Sequence, residues 1–191
     1  MQQLFQYLCS ISPLTPATLR ELEGIFCEVA LRKHESFVEA GKVAKKFGIL
    51  EHGILRAYYR TEGGQEYNKH FFRAPCFIGG FSSLVTGEPS PINLQALTDC
   101  HIWEADYHSL TKRYDEWPDL ERLSRILAEQ YFVQKERREV EIVLLNADKR
   151  YQIFKNEFPE LENLIPQYHI ASYLGITPTQ LSRIRKMRTK G

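Results

Sequence analysis

Three hydrophobic periods follow one another along the chain. Residues 15 to 33 open with Thr15 and Pro16, a cap and a proline suited to a first helical position, and carry Leu19, Leu22, Ile25, Phe26 and Val29 at helical spacing. This predicts a short amphipathic helix. From Ser36 to Asp106 the period falls to two, in short segments rich in β-branched and aromatic residues and separated by glycine turns. Ile54 to Arg60 and Glu66 to Phe72 flank one turn, and Asn93 to Leu97 and His101 to Ala105 flank another around Thr98-Asp99. Strands of this length and spacing imply a small antiparallel barrel or roll that can close over a ligand.

After Trp117-Pro118 a run free of proline and glycine reaches Ala147, the longest helical signal in the chain. Leu123, Gln130, Arg137 and Leu144 share one heptad position, and Ile126, Val133, Val140 and Ala147 the other. So narrow a stripe predicts a seam against the same helix of a second copy, with Gln130 and Arg137 able to fix its register. Packing of this face on the chain's own β-region is the alternative. Asp148 is placed to cap a further helix that carries Tyr151, Ile153 and Phe154 and ends before Pro159.

Near the carboxy-terminal end, Ile170, Ala171 and Leu174 predict a short helix that stops at Gly175, a residue free to take the left-handed conformation. Thr177, Pro178 and Gln180 then supply the N-cap, first-turn proline and Thr-x-x-Gln capping box of a second helix. Leu181 and Ile184 share its inner face, with Thr177 and Arg188 near the same meridian. Thr179, Ser182, Arg183, Lys186 and Lys190 project from the opposite side. Two helices, one tight turn, and short polar groups followed by cations are what a protein uses to lay a helix in the DNA major groove. A helical hairpin with a solvated basic face has the same outline.

Composition narrows the classes. Of 191 residues 43% are hydrophobic and 26% charged, as in a globular protein, and no apolar run approaches the ~20 residues of a membrane span. The first residues lack the basic and apolar regions of a secretory signal, so the cytoplasm is expected. Cys9, Cys27, Cys76 and Cys100 are scattered without a C-x-x-C pair, and the six histidines form no H-x-H or H-E-x-x-H arrangement. The cysteines read as buried free thiols and no metal is expected. No nucleophile and base are grouped as in an enzyme. Charge is uneven: residues 148 to 191 hold eight Lys or Arg against four Asp or Glu, a net of +4, within a chain whose total is +1. The basic end is the end with the paired helices, which suits phosphate neutralisation.

Together these features resemble the Crp/Fnr family of bacterial transcription regulators, most specifically a branch common in Bacteroidetes. The matching residues are Arg150-Tyr151, Pro159, Pro166, His169-Ile-Ala-Ser-Tyr-Leu-Gly and Leu181-Ser-Arg-Ile-Arg. The resemblance implies an α+β fold: an antiparallel β-roll of the cyclic-nucleotide-binding jelly-roll type over residues 1–117, a dimerisation helix over 118–147, and a helix-turn-helix domain over 148–191. It implies a homodimeric regulator that inserts residues 178 to 188 into duplex DNA, with RNA polymerase as a further partner. Thr177, Thr179, Gln180 and Arg183 then fall at DNA-contact positions, Arg183 where the family keeps an arginine that reads guanine. Ser182 and Lys186 join them from the residue reading. Pro178 and Thr179 replace an Arg-Glu pair of the best-known member, so a different operator is expected. The sequence given ends three residues past Arg188, which leaves no room for the family's β-hairpin wing.

Phe77-Ile-Gly-Gly-Phe-Ser-Ser resembles the opening of the family's phosphate-binding cassette, making Gly79, Gly80, Phe81, Ser82 and Ser83 candidates for a small-molecule effector site. Cyclic-nucleotide binders have a glutamate where Gly80 stands and an Arg-Ser pair near Ser90-Pro91. A buried phosphodiester would lack its bidentate cation there, so tight cyclic AMP binding is not expected. No cofactor is implied. A ligand-binding sensor that acts through protein partners without DNA is the rival reading.

Overall fold

Residues 1–188 are described by a computed structural model, and the expectation for Lys190 and for a wing lies outside them. The first element was not anticipated. Helix α1 (Gln2–Ile11) has no side-chain cap and is held by burial of Leu4 and Leu8. Helix α2 (Pro16–Glu23) begins as expected, with the Thr18 amide donating to Thr15 Oγ1 at 3.1 Å and Pro16 in the first turn. It is shorter than the 15–33 pattern implied. Gly24 closes it, and Cys27–Leu31 turns into strand β1, because these backbone groups find a ladder in β8 (Cys100–Asp106), with Val29 opposite Ile102.

The remaining strands are β2 (Ser36–Val38), β3 (Lys46–His52), β4 (Ile54–Arg60), β5 (Glu66–Arg73), β6 (Cys76–Gly79) and β7 (Asn93–Ala96). They form two four-stranded sheets, ordered β1-β8-β3-β6 and β2-β7-β4-β5. The predicted segments around residues 60 and 98 are strands, but β7 and β8 lie in different sheets. Alternation sends Leu50, Ile78 and Ile102 of the first sheet, and Leu55, Phe72, Leu94 and Ala96 of the second, into one apolar cluster. The other face of the first sheet, with Phe47, Ile49 and Ala105, is covered by Leu4, Leu8 and Leu22 from α1 and α2. Short helices α3 (Phe81–Thr86) and α4 (Tyr107–Thr111) contribute Leu84 and Leu110 to the same layer.

Helix α5 (Pro118–Leu144) follows, then α6 (Ala147–Glu157), α7 (Leu161–Leu164), α8 (Gln167–Leu174) and α9 (Pro178–Arg188). The cap of α6 is Asn146, whose Oδ1 accepts from the Lys149 amide at 3.0 Å. Asp148, expected in that role, instead occupies the first turn, where its charge still suits the helix dipole. Contacts divide the chain into two compact units, one of residues 1–57 and 71–132, the other of 58–70 and 133–191. Both α5 and the β4–β5 hairpin therefore contribute residues to each. The four cysteines are free, yet only Cys100 is buried; Cys9 and Cys27 are exposed, against the expectation for all four, because they fall on outward-facing positions of α1 and β1.

Candidate nucleic-acid interface

The second unit is built around an aromatic cluster. Phe154 and Phe158 of α6 pack with Tyr173 of α8, the ring centres lying 5.5 to 6.0 Å apart, and His70 of the hairpin meets Phe158 edge-on at 5.6 Å. Leu161, Ile165, Ile170, Ala171, Leu174, Leu181 and Ile184 are buried with them. Burial holds the His70 imidazole down to about 4, with the Lys69 and Arg138 charges acting in the same sense. Glu157 is pushed up by burial while its carboxylate accepts from Gln134 and Tyr173. Burial also pushes the Tyr173 phenol well above its ordinary range.

Helix α8 ends at Gly175 (φ 66°), a left-handed C-cap that glycine takes without strain. Two further groups satisfy its terminal carbonyls. Arg138 of α5 donates to the Tyr173 carbonyl, stacks over the Tyr173 ring and pairs with Glu141 at 2.9 Å. Arg150 of α6 donates from Nε to the Leu174 carbonyl (3.2 Å) and from Nη1 to that of Leu145 (2.5 Å). These cations sit where the helix dipole is negative.

Three residues on, the Gln180 amide donates to Thr177 Oγ1 at 3.2 Å and α9 begins with Pro178. Leu181 and Ile184 turn inward, so α9 has a fixed rotation about its axis. Thr177, Thr179, Gln180, Ser182, Arg183 and Lys186 are consequently all exposed. Thr179, Ser182, Arg183 and Lys186 lie on the side opposite Leu181 and Ile184, while Thr177 and Gln180 are exposed at the helix start. Arg185, between them in sequence, leans back to Glu162 (3.8 Å), whose carboxylate also accepts from the Tyr151 hydroxyl.

The candidate effector residues do not share one role. Gly79 ends β6, and Gly80 precedes α3. Phe81 and Ser82 are exposed, whereas Ser83 is buried. Its hydroxyl accepts from the Ala44 amide at 2.9 Å and donates to the Glu88 carbonyl, so it fastens two loops and is occupied within the protein. Ser90 is buried too, its hydroxyl bonded to the amide and carbonyl of Ile92. A Cβ on Gly80 would lie 3.2 Å from Val38 Cγ1 and 3.3 Å from Ala44 Cβ, so a larger residue has no room without movement.

A cleft of about 550 Å³ lies elsewhere, lined by Leu14, Thr15, Trp117, Asp119 and Arg122. Its carboxylate is used to cap α2, accepting from the Thr15 amide (2.8 Å) and the Thr18 hydroxyl (2.7 Å). Among the described residues no group of three or more His, Cys, Asp or Glu is placed to hold a metal ion. No helix among them is long and apolar enough to cross a membrane.

The expected seam residues on α5 separate into two sets. Gln130, Val133, Arg137, Val140 and Leu144 are exposed and Ile126 half-buried. Leu123 is only 3% exposed and packs with Leu4, Leu8, Leu22 and Leu120 in the core of its own unit. It is therefore withdrawn from the expected seam.

Residues 28–116 match the cyclic nucleotide-binding domain family. Among solved structures, FixK2 from Bradyrhizobium japonicum superposes with a TM-score of 0.75 at 19% identity, over 87% of this chain and 86% of that one. The fold is that of the Crp/Fnr regulators. A Crp/Fnr-family protein from Eubacterium rectale matches with a TM-score of 0.72 at 17% identity, over 93% of this chain and 85% of that one. CLP from Xanthomonas campestris, described as a c-di-GMP-responsive global regulator, matches with a TM-score of 0.70 at 14% identity, over 93% of each chain. No curated protein matches at the level of sequence. The Crp/Fnr expectation, drawn from features along nearly the whole chain, is met as a fold, and the roll predicted from period-two strands is the part that matches the cyclic nucleotide-binding domain family.

Arg138 and Arg150 are residues of this unit whose roles sequence reasoning missed. For Arg150 a signal existed in the Arg150-Tyr151 match. For Arg138 no local pattern identifies a partner so distant in the chain.

Proposed function

We propose that the chain is a homodimeric, sequence-specific DNA-binding transcription regulator, not an enzyme, acting in the cytoplasm and using α9 as its major-groove helix. The observation that carries this is the fixed rotation of α9: Leu181 and Ile184 are buried while Thr179, Ser182, Arg183 and Lys186 face solvent on the opposite side, with Thr177 and Gln180 exposed at the helix start. Short polar groups at the helix start suit base edges, and the cations further along suit phosphates. Residues 1–117 serve as the sensor-type roll, α5 as the dimerisation helix, which ends at Leu144 rather than at the expected residue 147 because Asn146 caps α6, and 148–191 as the reader. The exposed stripe from Ile126 to Leu144 is the dimer seam, which would set two α9 helices on half-sites one helical turn, roughly 34 Å, apart. RNA polymerase is the expected further partner.

Control by cyclic AMP is not part of this reading. Gly80 replaces the ribose-binding glutamate, and the hydroxyls of Ser83 and Ser90 are used internally. Calorimetry giving sub-micromolar affinity for cyclic AMP would overturn this part. Any other effector at this loop would meet Phe81 and Ser82, its exposed members, before the half-buried Gly79 and the buried Gly80.

The test is a mobility shift on operator fragments selected from genomic DNA. Arg183→Ala should lose about 1 to 3 kcal/mol on the operator and relax preference at one base pair, whereas Lys186→Ala should weaken all sequences alike and flatten the salt dependence. Equal loss on operator and random DNA for Arg183→Ala removes its base-reading role. Absence of any low-salt shift favours a sensor acting through protein partners.

A further inference from the structure

Helix α1 carries two stripes. Leu4 and Leu8 are buried with Phe47 and Ile49, while Gln3, Gln6, Tyr7 and Ser10, spaced i, i+3, i+4 and i+7, lie side by side on the neighbouring face. That second stripe, together with Leu4, Ile49 and Glu51 of β3, and Pro75 just before β6, lines a cavity of about 330 Å³. The volume is at the small end for a ligand pocket. None of the residues from Gly79 to Ser83 lines it.

Glu51 supplies the only carboxylate of this cavity, and no lysine, arginine or histidine lines it. Burial pushes the Tyr7 phenol up to about 12, so that ring adds no charge at neutral pH. The Glu51 side chain is 20% exposed, and one of its oxygens is committed: Oε2 lies 2.7 Å from His101 Nδ1, while Nε2 of the same ring meets Glu28. Held by a ring that is itself held, the carboxylate keeps one position. Its second oxygen, Oε1, has no hydrogen-bond or ion-pair partner among the described residues.

A half-buried carboxylate oxygen beside an apolar floor is completed by a charged N–H donor that brings its own apolar chain. An anion would be repelled. A metal ion is not suited, because among the described residues no three His, Cys, Asp or Glu side chains are placed to hold one. The carboxamides of Gln3 and Gln6 supply further acceptors, which favours a primary ammonium over a quaternary one that has no N–H to donate. We propose that the cavity between α1 and β3 binds a primary alkylammonium ion, its nitrogen on Glu51 and its chain over Leu4, Ile49 and Pro75. The use of such a ligand as an effector rests on the function proposed above; the binding itself does not.

The experiment is titration of the full chain, without DNA, with n-butylammonium chloride, followed by backbone amide shifts in nuclear magnetic resonance. Tetramethylammonium, n-butanol and butyrate are the comparison probes. Butylammonium should give saturable shifts in α1, β3 and Cys76, and Glu51→Gln should weaken its binding about tenfold. Gln6→Trp, at an exposed position that leaves Leu4, Leu8 and His101 untouched, should fill the cavity and abolish the same shifts. Equal affinity in the parent and Glu51→Gln, or in the parent and Gln6→Trp, overturns the proposal. So does equal affinity for tetramethylammonium or n-butanol, an absence of saturation, or shifts scattered over surface carboxylates. Because no DNA is present, failure here is distinct from failure of the DNA-reading assignment.

Discussion

The guanidinium of Arg138 lies 3.8 Å from the centre of the Tyr173 ring and donates to the carbonyl of the same residue. A planar cation stacked on an aromatic face while its edge reaches a helix-end carbonyl is a geometry that lysine cannot reproduce. Arg138→Ala should destabilise the second unit by about 2 kcal/mol, and Arg138→Lys should recover less than half of that. Urea unfolding followed by near-ultraviolet dichroism of the aromatic cluster checks it. Full recovery by lysine would mean that charge alone matters.

Leu181 is only 1% exposed. Leu181→Ala should cost about 2 to 4 kcal/mol, the range for a fully buried leucine. Met187, 69% exposed on the same helix, should tolerate alanine within about 0.5 kcal/mol. Thermal denaturation of both variants decides whether α9 has the rotation described.

Leu123 and Val140 separate folding from association. Leu123→Ala should lower stability by about 2 to 4 kcal/mol and leave the dimer's dissociation constant unchanged. Val140→Glu, at a position 50% exposed, should leave stability within about 0.5 kcal/mol per protomer and give monomers in sedimentation experiments at micromolar concentration. A dimer that survives Val140→Glu would place the seam elsewhere.

His70 makes acid stability directional. Its imidazole is held down to about 4, chiefly by burial, against an ordinary value of 6.5. Between these values the unfolded chain binds the proton and the folded chain does not. The contribution is therefore complete above pH ~6.5, is lost as pH falls toward 4, and changes no further below that. The full span is about 3 kcal/mol. Urea midpoints measured from pH 7.5 to 4.5 should fall more steeply for the parent than for His70→Gln. Parallel profiles would show that His70 is not the group responsible.

Much of the architecture was legible because local chemistry and tertiary structure agree. Thr15-Pro16 and Thr177-Pro178 start helices, Gly175 ends one, and the turn around residue 62 joins two strands whose alternation was already plain. The reading failed where a partner far along the chain decides. Cys27–Leu31 has helical spacing of its apolar residues, yet β8 makes it a strand. Leu123 fits a heptad, but periodicity says only that a face is buried, and here its cover is α1 and α2 rather than a second copy. Ser83 looked available in a Gly-Gly-Phe-Ser-Ser turn, while two loops compete successfully for its hydroxyl. The exposure of Thr179, Ser182, Arg183 and Lys186 on α9 was readable for the opposite reason: solvent-facing residues need no partner within the chain.

The burial of Leu120 and Leu123 also fixes how the chain can be cut. A roll fragment ending at Trp117 would leave an open apolar trough over Leu4, Leu8 and Leu22, and would be expected to aggregate. A transplantable version has to retain the first turns of α5, through Tyr131, whose hydroxyl is fastened to the Phe77 carbonyl at 3.0 Å. The natural splice point for grafting this roll onto another effector module thus lies inside an unbroken helix, where phase as well as length must be kept: a graft that adds or drops one residue would turn everything after it by about 100°.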